Sequence, residues 1–164
     1  MRRIRFAVAT GTALLGLILS TSSASAFGIA GGGGRTGYLE PGSGDGGVAL
    51  GAHVEMESRG SRWHLQPNVL YWNGDPQTGF NGNLDAYYHF EARSRTSPYL
   101  GGGLGFSMVD DTDGVGEDTS DTDPAANLIG GVQFPAGTNN LFVEGRYTIR
   151  DADQAAILFG ITVR

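Results

Sequence analysis

The chain has 164 residues, a formal net charge of −6 and no lysine or cysteine. The length suits one domain, the acidic balance argues against a nucleic-acid partner, and the missing cysteines exclude a disulfide scaffold or a lipid anchor on cysteine. The glycine count, 28, is high; with no collagen-like period it points to tight turns and crowded backbone.

Residues 1–26 read as a leader and 27–164 as the domain. Arg2, Arg3 and Arg5 make a basic start, Phe6–Leu19 is apolar and uncharged, and Ala24-Ser25-Ala26 is a small-residue cleavage site. These are the parts of a secretory signal peptide. A membrane helix is the weaker reading, because the apolar run falls short of the ~20 residues a span needs. No later run is long enough for a helical span either, but strands can cross a membrane with apolar residues at alternate positions only.

Phe27–Tyr38 holds four consecutive glycines and shows no clear face, so it is either a first strand or a flexible leader; Leu39–Asp45 reads as a loop. Gly46–Glu57 is plainer. Val48, Leu50, Ala52, Val54 and Met56 alternate with small, polar or charged residues, the period of a strand with one oily face. After a turn at Ser58–Ser61, Arg62–Trp72 sets Trp63, Leu65, Val69 and Tyr71 against Arg62, His64, Gln66, Asn68 and Trp72, although Pro67 removes a ladder bond. Asn73–Gly82 is dense in turn residues and reads as a loop. The same alternation recurs in Asn83–Ala92, Pro98–Met108, Ala126–Phe134, Asn140–Arg150 and Gln154–Arg164, with a long acidic gap at Val109–Ala125. Long and short connections alternate until the last. The pattern predicts an all-β, eight-stranded antiparallel up-and-down transmembrane β-barrel, with loops outside and with turns and both termini on the periplasmic side.

Alternation alone does not say which face meets water. A soluble secreted barrel of lipocalin type, carrying a small apolar ligand, would put the apolar set inside. Three features favour the inverse. The polar set of Pro98–Met108 is mostly glycine, which suits a crowded lumen. The inward charges can balance, with Glu55, Glu57, Asp85, Glu91 and Glu144 against Arg62, Arg146 and Arg150. Aromatics fall near strand ends, Trp63, Phe90 and Phe134 at one edge and Tyr71 and Phe106 towards the other, as interfacial girdles do. The segments PYLGGGLGF, NLIGGVQF, NLFVEGRYTI and ILFGITV, together with the leader, resemble small outer-membrane β-barrel proteins of the OmpA/OmpX type. That resemblance implies a barrel in a Gram-negative outer membrane with a side-chain-filled interior, and outer-membrane lipid and the insertion machinery as partners. Such proteins usually end in an aromatic residue that the machinery reads; here the end is Val163-Arg164, with Phe159 upstream.

A charge taken out of water costs several kcal/mol unless it is paired. Glu55, Arg62, Glu91, Glu144 and Arg146 are therefore expected to form a polar lumen network, which would either plug the barrel or line a pore; the small bore favours the plug. His53, His64 and His89 read as lumen histidines bonded to Glu55, Glu57 or Glu91, with a metal or catalytic role as the alternative. The acidic stretch offers Asp110, Asp111, Asp113, Glu117, Asp118, Asp121 and Asp123 as weak Ca²⁺ candidates; its spacing does not fit an EF-hand, and a solvated loop is the plainer reading. There is no phosphate loop, dinucleotide fingerprint or nucleophile elbow, and no cofactor is expected. The function these residues favour is a non-enzymatic barrel with a structural or surface-interaction role through loops whose ligand is unnamed. The soluble carrier is the first alternative and a lipid-modifying enzyme the second.

Overall fold

The computed structural model describes residues 27–42, 45–75, 77–92, 95–111 and 120–164, without the side chains of 111, 120 and 121. The signal-peptide reading lies outside the described residues. Eight strands run in chain order: β1 Gly28–Pro41, β2 Gly47–Glu57, β3 Trp63–Asn73, β4 Gln77–His89, β5 Ser97–Asp111, β6 Ser120–Ala136, β7 Asn139–Ile149 and β8 Gln154–Val163. Each pairs antiparallel with the next, and β1 closes on β8 with Gly32 opposite Val163 and Pro41 opposite Gln154. Closure leaves no unpaired edge, which a strand in hydrocarbon could not tolerate.

Several boundaries differ from the expectation. Phe27–Tyr38 is a strand rather than a flexible leader, and β1 continues through Leu39 to Pro41. The stretch read as a loop at Asn73–Gly82 is mostly strand, since β4 begins at Gln77. About half of the gap read at Val109–Ala125 belongs to β5 and β6, with Asp110 opposite Ser120 and Ser107 opposite Asp123. The expected contrast between long loops and short turns therefore shrinks. Ladder hydrogen bonds come from backbone, so polar and glycine-rich residues extend a hairpin without apolar side chains to announce it. Pro67 is accommodated by a gap: the β2–β3 ladder passes from His53–Asn68 to Met56–Leu65, while on its other side Pro67 pairs with Leu84.

The apolar set points outward. Leu50, Leu104 and Phe159 are 56, 72 and 52 % exposed, and Val48, Leu100, Leu128, Ile157 and Val163 share their face. This contradicts the soluble-carrier alternative, which needs those side chains at the centre. Aromatics mark both rims of the apolar band. Trp63, Tyr88 and Phe90 pack edge to face at one end, with centroids 5.5 and 5.2 Å apart. Phe80 meets Phe106 towards the other end, where Tyr38, Tyr71 and Tyr147 are also exposed. The end where β1 begins and β8 ends is the turn end, and the opposite one the loop end.

Inside, glycine makes the space that large side chains fill. Gly101, Gly103 and Gly105 on β5 stand opposite Tyr87, Asp85 and Asn83 on β4. A Cβ on Gly103 would overlap the Asp85 carboxylate and come within 2.6 Å of the Leu84 carbonyl oxygen. One part of the interior is apolar: Leu39, Ala49, Leu70, Trp72, Ala156 and Leu158 cluster near the loop end. Period-2 counting puts these on the inward set, but their hydrophobicity hides that the lumen is layered.

Candidate functional site

Below the apolar layer lies a continuous polar network. Its centre is Arg146 on β7, whose Nη2 donates to Asp85 Oδ2 at 2.7 Å and Glu144 Oε1 at 3.0 Å, while Nε donates to Glu144 Oε1 at 3.2 Å. Arg35 on β1 adds a second guanidinium, with Nη1 3.1 Å from Glu144 Oε1 and Nη2 donating to Gln66 Oε1. Tyr99 donates its hydroxyl to the other Glu144 oxygen at 3.0 Å. Asp85 accepts from Asn68 at 2.6 Å and Asn127 at 3.2 Å. Asn127 in turn donates to Asn83 and accepts from Thr148, each at 2.8 Å. Two guanidiniums and two carboxylates thus neutralise one another, all nearly inaccessible to water. The remaining lone pairs are met by amides and hydroxyls, the condition under which burying charge is tolerable. A cavity among Gln66, Tyr87, His89, Tyr99, Gln133, Phe142 and Thr162 has a volume of about 10 Å³, room for a single water.

A closed eight-stranded barrel with a lipid-like exterior and a salt-bridged interior has known counterparts. The family model described as outer membrane protein beta-barrel domain matches residues 9–162. The chain belongs to that family. Among solved structures, this outer-membrane barrel is similar to Neisserial surface protein A, at 15 % identity and a TM-score of 0.65, covering 80 % of this chain and 94 % of that one. It is also similar to Ail, the attachment invasion locus protein of Yersinia pestis, at 14 % identity and a TM-score of 0.48, covering 84 % and 97 %; that likeness is too loose to carry an argument. No curated protein sequence matches.

Of the residues the sequence nominates for the lumen, the barrel brings Glu144 and Arg146 together at its centre and places Glu55 nearer the turn end. Arg62 and Glu91 do not join them. They pair with each other at the turn-end rim, where their side chains are 46 and 78 % exposed. The period-2 pattern runs on past the last enclosed position, so it cannot mark where the lumen stops. Arg150 is also peripheral, 3.4 Å from Asp123 at the loop end. Arg35 and Asp85 are the charged members that the sequence-based network omits. Arg35 hides among glycines that define no face, though counting back by twos from Leu39 reaches it.

The three histidines all point inward. His53 contacts Thr162 Oγ1 at 2.9 Å, His64 Nδ1 contacts Glu55 Oε1 at 2.7 Å, and His89 Nδ1 contacts Ser97 Oγ at 3.0 Å. Only His64 thus has the carboxylate partner expected for it. The His89–Ser97 contact joins residues eight apart across the β4–β5 connection, which no local motif reveals. It lacks the third member of a hydrolytic triad, because His89 Nε2 has no protein partner.

Of the Ca²⁺ candidates, Asp113, Glu117 and Asp118 lie outside the described residues, and Asp111 and Asp121 fall on β5 and β6 without described side chains. Asp110 is exposed on β5, and Asp123 is engaged by Arg150. Between β7 and β8, Asp153 accepts from the Tyr147 hydroxyl at 2.6 Å and the Arg150 amide at 3.2 Å. These two bonds, the hydroxyl's first, hold its carboxyl below the usual aspartate range.

Proposed function

We propose that this protein is a non-enzymatic barrel of the outer membrane whose lumen is plugged, and that it acts at the cell surface through its loop end. The observation carrying the reading is the Arg35–Glu144–Arg146–Asp85 network, which crosses the bore from β1 to β4 and β7 and is cross-linked by neutral amides. A solute path would need that network broken, at a cost of several kcal/mol for each charge left unpaired in the interior. In this reading the turn end faces the periplasm and the loop end faces outward. The Neisserial neighbour is named as a surface protein, which agrees with an outward-facing loop end. No lipid-modifying constellation supports the enzyme alternative: among the described residues the one Ser–His pair faces the lumen rather than lipid.

Planar-bilayer recording of the purified protein tests the plug. No steady conductance is expected from the native chain. A large, steady conductance per inserted barrel would overturn the proposal and favour a polar pore.

A further inference from the structure

We propose that Glu55, His64 and His89 form a binding site for a divalent transition-metal ion of zinc type at the turn end of the lumen. The three residues come from consecutive strands. Glu55 lies near the end of β2, His64 near the start of β3, and His89 closes β4. The register sets Glu57 opposite His64 and His64 opposite Tyr87, so the three side chains converge. One ligand atom from each lies within 4.8 Å of the other two. All three residues are more than nine-tenths buried, Glu55 completely.

The carboxylate of this cluster is incompletely bonded, unlike those of the central network, whose unmet atoms are guanidinium nitrogens of Arg35 and Arg146. Both oxygens of Glu144 and both of Asp85 have donors. Glu55 Oε2 and His89 Nε2 are buried and have no protein partner. A buried carboxylate oxygen and a buried imidazole nitrogen, both unmet within one cluster, are what a cation would satisfy. Two imidazoles and one carboxylate suit zinc and its neighbours rather than Ca²⁺ or Mg²⁺, which prefer all-oxygen shells, and three protein ligands leave a fourth position for water.

The surroundings fit as well. The contact of His89 Nδ1 with Ser97 Oγ fixes that ring by its other nitrogen, as outer partners of metal-binding histidines do, and leaves Nε2 for the metal. Ligands about 2.0 Å from a tetrahedral ion stand roughly 3.3 Å apart, so closing the cluster takes side-chain rotation rather than backbone movement. The hydrogen bond between His64 and Glu55 gives way as the ion enters. Arg164 Nη2 is 3.3 Å from Glu55 Oε1, but also 3.7 Å from the half-exposed Glu57 carboxylate, to which it can retire. A surface cleft of about 280 Å³, bordered by Arg62, His89, Glu91 and Ser97 among others, opens onto His89 and provides an entry path.

The test is calorimetric titration of Zn²⁺ into the full domain folded in detergent micelles, without a polyhistidine tag. One Zn²⁺ per chain is expected, with affinity falling roughly 100-fold or more in His64→Gln/His89→Gln. No heat from the native chain, or undiminished binding by the double variant, overturns the site. Heat-dependent gel mobility reports whether the variant is folded. Should it not fold, zinc-edge X-ray absorption of the native protein decides: two imidazoles with oxygen ligands support the site, and an all-oxygen shell, as the acidic loop would supply, refutes it.

Discussion

Arg146 shows how much one side chain can hold in a barrel this narrow. Its guanidinium is the shared partner of Asp85 and Glu144, and neither carboxylate can reach water. Arg146→Ala is therefore expected to destabilise the folded barrel by about 3–5 kcal/mol, because it strands buried charge rather than merely losing a bond. Urea unfolding in micelles measures this, and Arg62→Ala at the exposed rim, expected to change stability by less than about 1 kcal/mol, is its control. The difference between these two arginines was not legible in the sequence. Both sit in the polar set of an alternating strand, and only the position of the rim, a three-dimensional fact, separates them. Glu144 and Arg146, deep within β7, could be read directly; Arg35 could not, since its glycine neighbours carry no pattern.

Strands, as elements, follow one rule: outward residues meet lipid and inward residues meet each other. On β5 the rule is sharpest, because Gly101, Gly103 and Gly105 yield the lumen to β4 while Leu100 and Leu104 stand out on the other face. Leu104→Arg is expected to cost about 2–4 kcal/mol if that position lies near the bilayer centre, from moving a charge into hydrocarbon. Reversible folding into lipid vesicles measures it, and a cost under 0.5 kcal/mol would mean that Leu104 does not face lipid. Strands with bulky alternation, such as β2 and β7, could be located from sequence nearly to their ends. The start of β4 was missed because its glycines look like turn residues. In the barrel Gly79 makes room for the Trp72 indole and Gly82 for the Phe106 ring, so both glycines belong to packing rather than to a bend.

At the scale of the whole molecule, closure couples these elements. Because β1 pairs with β8 and side chains alternate along every strand, a slip of one residue in any ladder would invert that strand, sending its apolar set into the charged lumen. The fold class was legible because seven segments repeat one binary pattern. The interior was less so, since alternation says which residues share a face but not which of them touch. The central claim is the direction of the two faces, and the chain's lack of cysteine makes it directly measurable. Single cysteines at Leu104, Leu128 and Ile157, and at inward Ser107 and Thr148, carry a bimane label tested for quenching by brominated lipid. The first three are expected to be strongly quenched, and the last two either unreactive or unquenched. Quenching of the inward pair with protection of the other three would contradict the account.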